Sequence, residues 1–136
     1  MERAEMDRIA NEHFGYEAAD DLDGVLGTLT DDVVHHVIGS PYGEVVGVDA
    51  ARPFYAELFA DLAGESVEPV SRWYGDDFLV DETMWSGHVH DGKVFGLPGT
   101  SGHVTFRLLH VFEFRDGRIS KENVWSDVVA IAQALA

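Results

Sequence analysis

Histidine is the side chain in this sequence best suited to proton transfer, with seven copies among 136 residues and no cysteine. An imidazole, with an ordinary pKa near ~6.5, gives or takes a proton at neutral pH without much tuning. The absence of cysteine excludes disulfide scaffolds, thiolate metal sites and cysteine nucleophiles. The sequence contains no G-x-S-x-G, P-loop or G-x-G-x-x-G motif, which argues against serine hydrolase, NTPase and dinucleotide chemistry.

One histidine lies within a stretch that predicts a half-buried strand. Residues 104–114 alternate between apolar and polar side chains, and His110 is the only polar residue among the even-numbered positions. A buried imidazole without hydrogen-bond partners costs about 1–3 kcal/mol per unsatisfied group. His110 is therefore either a core histidine with partners or a group that faces a cavity, and the strand alone leaves both readings open.

The other histidines have less specific surroundings. His13 lies on the apolar stripe of the first predicted helix. A histidine at the edge of a helix–sheet contact, without a role in chemistry, would occupy the same position. His35 and His36 are neighbours in a predicted strand, so one faces inward, and the sequence does not settle which. His88 and His90 could begin a metal site, but two residues without further ligands are a pattern of low specificity, so we favour a solvated hairpin end and predict no metal.

Neighbouring carboxylates mostly fit caps and turns, as at Asp20 and Asp21. Asp81 and Glu82 are different because they lie inside a predicted strand, on opposite faces. One of them could point inward and take part in acid–base chemistry.

The elements that must position these residues come as helices first and strands later, an order typical of an α+β fold with one domain over 1–136. We predict helix caps at Asp20 or Asp21, at Asp49, and at Ser126 or Asp127, with Gly64 ending the third helix. The predicted helices are 2–18, 22–29, 49–62 and 128–135, and the predicted strands are 33–38, 67–74, 77–90, 103–115 and 118–126.

The charge of the chain limits its partners. Twenty-five acidic residues stand against 9 basic ones, giving a net charge of −16. Such a chain repels phosphate backbones and anionic lipids, so we predict no nucleic-acid and no membrane partner. The acidic, polar start of the sequence is unlike a signal or transit peptide, and we expect a cytoplasmic protein.

Five short motifs span nearly the whole chain, at 21–25, 29–33, 47–51, 96–102 and 110–119. In their order and spacing they resemble the SnoaL-like polyketide cyclases of the nuclear transport factor 2-like superfamily, which includes ketosteroid isomerase. The resemblance implies a cone-shaped α+β barrel in which a curved, mostly antiparallel sheet wraps around N-terminal helices and encloses a pocket. It also implies a small hydrophobic ligand, no cofactor and a homodimer.

Functional positions carry over from these relatives one at a time. The base aspartate of ketosteroid isomerase precedes a Gly-Ser and falls on His36, and its oxyanion-stabilising aspartate falls on His110. The tyrosine of its first helix falls on His13, with Tyr16 one turn along as a substitute. The acid–base aspartate of the SnoaL-type cyclases also falls at or near His110. The epoxide-hydrolase branch is disfavoured, because no inward Arg-x-Asp pattern occurs on the 104–114 strand.

The sequence thus predicts a cofactor-independent enzyme of cyclase or isomerase type, with histidine acid–base catalysis on a hydrophobic, polyketide- or steroid-like carbonyl compound. We expect catalytic roles for His110, His36 and His13. A non-catalytic ligand-binding or dimerisation module, or a dehydratase or hydrolase relative, is the alternative. The residues expected to contact the substrate are Tyr16, Trp85, Phe112, Asn123 and Trp125.

Overall fold

Four helices and six strands make up the protein, and the computed structural model describes all 136 residues. The elements are α1 (Arg3–Ala18), α2 (Leu22–Gly27), β1 (Leu29–Ile38), β2 (Glu44–Val46), α3 (Val48–Asp61), β3 (Leu62–Tyr74), β4 (Phe78–Val89), β5 (Gly102–Arg115), β6 (Arg118–Ser126) and α4 (Val128–Leu135). A short 3-10 turn, Lys93–Phe95, lies between β4 and β5. The predicted α+β class is confirmed.

The six strands form one curved, unclosed sheet in the order β2-β1-β6-β5-β4-β3. Only β1 and β6 pair in parallel, and the other neighbours are antiparallel. The predicted hairpin between β5 and β6 turns at Asp116 and Gly117, which have φ values of 54° and 75°. Positive φ at both positions suits the right-handed twist of the flanking strands. The predicted curved, mostly antiparallel sheet is therefore present.

Strand register decides which side chains reach the interior. In β5 the even-numbered residues face inward as predicted, and His110 is buried among them. In β1 the inward position belongs to His35, while His36 lies half-buried on the other face. Alternation in β6 turns Glu122 inward, where it is fully buried.

Two of the predicted caps form. The Asp21 side chain accepts a hydrogen bond from the Gly24 amide at 2.9 Å at the start of α2. The Asp127 side chain does the same for the Ala130 amide at 3.1 Å at the start of α4. Each carboxylate satisfies an amide that the first helical turn leaves without a partner.

The ends of α3 differ from the prediction. Gly47, at φ 97°, is the N-cap residue, and Asp49 lies inside the first turn. A positive φ is the conformation that glycine adopts without strain. Gly64 does not end the helix, because β3 begins at Leu62 with no connecting loop. Gly64 instead pairs with Gly87 of β4.

None of the helices has the length and apolar character needed to cross a membrane.

Candidate active site

A cavity of about 1110 Å³ lies between α1, α3 and the strands β3 to β6. Most of its wall is apolar, with Phe14 from α1, Phe54 from α3 and Trp85 from β4 among the lining residues. His110 and Glu122 reach the same wall from β5 and β6. A large apolar pocket with a few polar groups at one place is the usual form of a small-molecule site.

Glu122 is the centre of a buried cluster of polar side chains. The hydroxyl of Tyr55 donates a hydrogen bond to its Oε1. The Nε2 atoms of His13 and His35 lie 3.5 Å and 3.7 Å from the same oxygen, and Nε2 of His110 lies 3.7 Å from Oε2. We call these five residues the glutamate–histidine cluster.

The surroundings of His13 indicate that its ring is protonated. The Thr28 hydroxyl donates to the Val25 carbonyl at 2.6 Å, so its oxygen accepts from His13 Nδ1 at 2.7 Å. Nε2 makes no hydrogen bond but lies at ion-pair distance from two carboxylates, 3.0 Å from Glu17 and 3.5 Å from Glu122. Two carboxylates beside this nitrogen favour an imidazolium. Burial lowers the pKa of His13, but the two carboxylates outweigh it and raise that pKa to about 10.

The other members of the cluster take complementary charge states. Burial raises the pKa of Glu122, but the charge of His13 prevails and holds it below its usual range. Burial, with a smaller effect of nearby carboxylates, puts the pKa of Tyr55 well above its ordinary value. Burial also lowers the pKa of His35, against the pull of Glu122. The cluster therefore holds a carboxylate, an imidazolium, a neutral His35 and a phenol.

His110 is the member of the cluster with a ring on the cavity wall and a free nitrogen. Its ring packs against Phe14 and Phe112, with centroids 5.0 Å and 5.4 Å away. Nε2 is directed to Glu122, while Nδ1 is buried and has no hydrogen-bond partner. A neutral imidazole that turns Nε2–H toward the carboxylate keeps a lone pair on Nδ1. This arrangement can accept a proton.

A second polar group lies beside His110 on the same wall. Asp81 of β4 is the cross-strand partner of His110, and its Oδ1 accepts a hydrogen bond from Arg72 Nε at 2.8 Å. Arg72 also donates to Asp7 at 2.9 Å and to Asn11 at 3.2 Å. We call Arg72, Asp81, Asp7 and Asn11 the Arg72 network. It ties β3 and β4 to α1.

The model of the SnoaL-like domain family matches residues 10–122. The chain belongs to the SnoaL-like domain family. No curated protein matches its sequence.

Solved structures that resemble this SnoaL-like protein share its fold at low sequence identity. A candidate SnoaL-like polyketide cyclase from Jannaschia sp. CCS1 is 20% identical with a TM-score of 0.81, over 97% of this chain and 92% of that one. An LEH-like epoxide hydrolase from M. tuberculosis is 20% identical with a TM-score of 0.74, over 97% and 90%. An NTF2-like protein from Burkholderia thailandensis E264 is 17% identical with a TM-score of 0.71, over 95% of each chain. The predicted SnoaL-like family and the predicted fold are confirmed.

Of the residues that the sequence put in the site of this SnoaL-like protein, four lie in or next to the cavity. His110 and Trp85 line it. His13 and Phe112 are fully buried and in ring contact with each other, with centroids 5.2 Å apart. His13 does not line the cavity itself but contacts Glu17 and Glu122, which do.

The other four predicted residues are not brought to the cavity. His36 faces away from it, and His35 takes the inward position in β1. Tyr16 is 38% exposed and covers Gly24, where a Cβ would lie 2.3 Å from its ring. Asn123 and Trp125 alternate with Glu122 along β6 and lie on the convex face of the sheet.

Sequence reasoning missed the centre of the cluster. Counting back from the buried Val124 puts Glu122 on the inner face of β6, and that alternation was the available signal. Tyr55 of α3 was not among the predicted site residues, and its hydroxyl donates to Glu122. The open choice between Asp81 and Glu82 is resolved in favour of Asp81, which is 5% exposed and lines the cavity.

Two groups have residue types that bind metals elsewhere. Ligand atoms of His13, Glu17 and Glu122 lie within 4.8 Å of one another, but the imidazolium already neutralises a carboxylate there. His88 and His90 are exposed, and their rings stack edge to face with centroids 5.0 Å apart. Nothing in either arrangement requires an ion.

Proposed function

We propose that this SnoaL-like protein is a cofactor-independent enzyme that moves protons on a small hydrophobic carbonyl compound of polyketide or steroid type. Cyclisation and isomerisation are the reactions that fit. The observation that carries the proposal is His110 itself: a buried imidazole on the wall of an apolar cavity, with Nε2 toward Glu122 and Nδ1 without a partner.

In this proposal the imidazole of His110 removes a proton from the carbon next to the substrate carbonyl. The imidazolium that forms then faces the Glu122 carboxylate at 3.7 Å, which stabilises the new positive charge. In isomerisation the imidazolium returns the proton to another carbon of the enolate. In aldol cyclisation the enolate carbon attacks a second carbonyl, and the imidazolium then protonates the oxygen of that carbonyl. Both reactions return His110 to its neutral form.

The enolate oxygen needs hydrogen-bond donors in the cavity wall. Thr83 and Trp85 line the cavity from β4, and we assign this role to their hydroxyl and indole N–H. His13 supports the reaction at one remove, because its fixed positive charge keeps Glu122 ionised. We propose no role in chemistry for His36, which lies on the opposite face of β1.

The test is α-proton exchange, measured by NMR in D₂O with tetralone as a model ring ketone. The unmodified protein should accelerate deuterium uptake, and His110→Ala should reduce that acceleration by roughly 10²–10⁴-fold, the usual contribution of a general base. His36→Ala is the matched control and should keep the rate. Circular dichroism checks that both variants fold. Equal rates in the protein and in His110→Ala contradict the proposal.

A non-catalytic ligand-binding module is the second candidate. The observation in its favour is the 3.7 Å separation of His110 Nε2 and Glu122 Oε2, which is longer than a hydrogen bond. This reading predicts that tetralone binds, seen as shifted histidine signals in NMR, while no deuterium enters it.

We also propose that the protein is a homodimer that associates through the convex face of its sheet. Trp125 on this face is 40% exposed and stands beside Leu109 of β5 and Ile38 of β1. A second copy of the chain would cover these apolar residues.

Sedimentation measures this directly. The protein should sediment at twice its chain mass of 15.0 kDa. Trp125→Arg should sediment as a monomer, whereas Val129→Arg, on an exposed residue of α4, should remain a dimer. A monomeric unmodified protein contradicts the proposal.

A further inference from the structure

The charged groups of the cavity wall are almost all acidic. Five carboxylates line it against a single guanidinium, and they are Glu17, Asp20, Glu65, Asp81 and Glu122, with Arg72 as the cation. The whole chain carries a net charge of −16, so its long-range field has the same sign as the cavity. A field of one sign concentrates oppositely charged ligands and repels those of like charge.

The one guanidinium is already paired within the chain. Its Nε atom donates to Asp81 at 2.8 Å, Nη1 to Asp7 at 2.9 Å and Nη2 to Asn11 at 3.2 Å, so two carboxylates neutralise its charge. The other cation near the cavity, His13, contacts Thr28 and carboxylates. A ligand carboxylate or phosphate would therefore enter an acidic cavity whose cations are already paired with carboxylates.

One hydrogen-bond acceptor among the lining residues has no partner. Asp81 Oδ1 is occupied by Arg72, but Oδ2 of the same carboxylate is buried and has no hydrogen-bond partner. The residue is 5% exposed and lines the cavity. A buried carboxylate oxygen without a donor is costly, so a ligand that brings a donor to the Asp81 carboxylate gains a favourable contact.

We propose that the cavity selects apolar ligands that carry a protonated amine, and that the ammonium group binds to Oδ2 of Asp81. Asp81 is the cross-strand partner of His110, so an amine held there leaves the adjoining part of the ligand next to the proposed base. This inference names the substrate class of the site described under Proposed function and rests on that cavity being the ligand site. Arg72, held by Asp7 and Asn11, acts as a positioning residue that fixes the Asp81 carboxylate.

Calorimetric binding of three probes with one ring system tests this at neutral pH. The probes are naphthylmethylamine, naphthylmethanol and naphthoate, which are cationic, neutral and anionic. The amine should bind at least about tenfold more tightly than the alcohol, because a charge-assisted hydrogen bond to Asp81 is added. Naphthoate should bind more weakly than the alcohol.

Two variants locate the effect. Asp81→Asn should remove the preference for the amine while the alcohol still binds. Glu82→Gln removes the same charge from the next residue of β4, but that side chain faces Arg107 on the other side of the sheet. It should keep the preference, and thermal unfolding checks that both variants fold.

The outcomes separate this inference from the proposed enzyme activity. Binding of naphthoate as tight as that of the amine, or an amine preference that survives in Asp81→Asn, overturns the inference and leaves the proton-transfer proposal standing. Failure of every probe to bind overturns it as well. An Asp81-dependent preference for the amine, without proton exchange on tetralone, supports the inference and counts against the enzyme.

Discussion

Nε2 of His13, in the first helix, lies 3.5 Å from Oε1 of Glu122, in the last strand, and both side chains are fully buried. Burial of either charge alone is expensive, since an isolated ion loses its hydration in the interior. Together they form a pair in which each keeps the other ionised. The cavity wall at His110 therefore has a fixed charge arrangement before any ligand arrives.

Removal of the Glu122 charge should destabilise the fold. In Glu122→Gln the His13 imidazolium loses its buried partner, and we expect the free energy of unfolding to fall by about 3–5 kcal/mol. Urea unfolding followed by circular dichroism measures the change. Glu113→Gln, which removes an exposed charge near Lys121 on the neighbouring strand, should cost less than about 1 kcal/mol. Equal losses in the two variants would argue against a buried ion pair.

The His13 pair should also make stability depend on pH. The folded pKa of His13 is raised from 6.5 to about 10, so its contribution is complete below pH 6.5 and is lost as the pH rises to about 10. Over that range the unmodified protein should lose up to about 1.4 kcal/mol per pH unit from this one group. His13→Gln should lack this slope. Urea unfolding across the range gives the comparison, and parallel curves would refute the assignment.

Two other groups make the stability of the fold depend on pH at acidic pH. Glu122 has a lowered folded pKa, so its contribution is present above its ordinary value of 4.5 and is lost as the pH falls below it. His35 also has a lowered folded pKa, so the unfolded chain takes up a proton below pH 6.5 that the folded protein refuses. Stability should therefore be greatest near pH 6.5 and decline on both sides.

Asp61 should be a second point of high sensitivity, remote from the His13 pair. Its buried carboxylate accepts hydrogen bonds from the amides of Asp91 at 2.7 Å, Gly92 at 3.0 Å and Val94 at 3.2 Å. Asp61→Asn puts an amide donor against one of these amides, and we expect a loss of about 1–3 kcal/mol. Thermal unfolding measures it. Glu68→Gln, at an exposed position of β3, is the control and should unfold as the unmodified protein does.

Local patterning predicted the part of the site that depends on one strand. Alternation in β5 turned His110 inward, and the structure agrees, because a one-residue shift would bury Arg107 and Glu113 instead. In β1 both neighbours are histidines, so the pattern carries no such preference. The choice comes from the parallel pairing with β6, which sets His35 opposite Glu122. Counting back from the Gly-Ser pair, as in ketosteroid isomerase, had instead predicted His36 as the base.

The rest of the site could not be read from local patterns, for a physical reason. A glutamate in a strand predicts an exposed side chain, and Glu122 is buried only because His13, His35 and Tyr55 come to it from three other elements. Trp125 was predicted to contact the substrate, but its side chain lies on the outer face of the sheet. An aromatic ring fits a pocket or an outer face equally well, and the register of β6 alone decides between them.

The His13–Glu122 pair joins α1 to β6, and this has a consequence for synthesis on the ribosome. The first helix leaves the exit tunnel long before residue 122 is added, so His13 initially has water and Glu17 of its own helix beside it, but not Glu122. A ring enclosed at that stage would lack its buried counter-charge, and burial would then disfavour its charged form. Helix α1 therefore docks with this ion pair complete only after β6 has emerged, which puts the closure of the interior among the last events of folding.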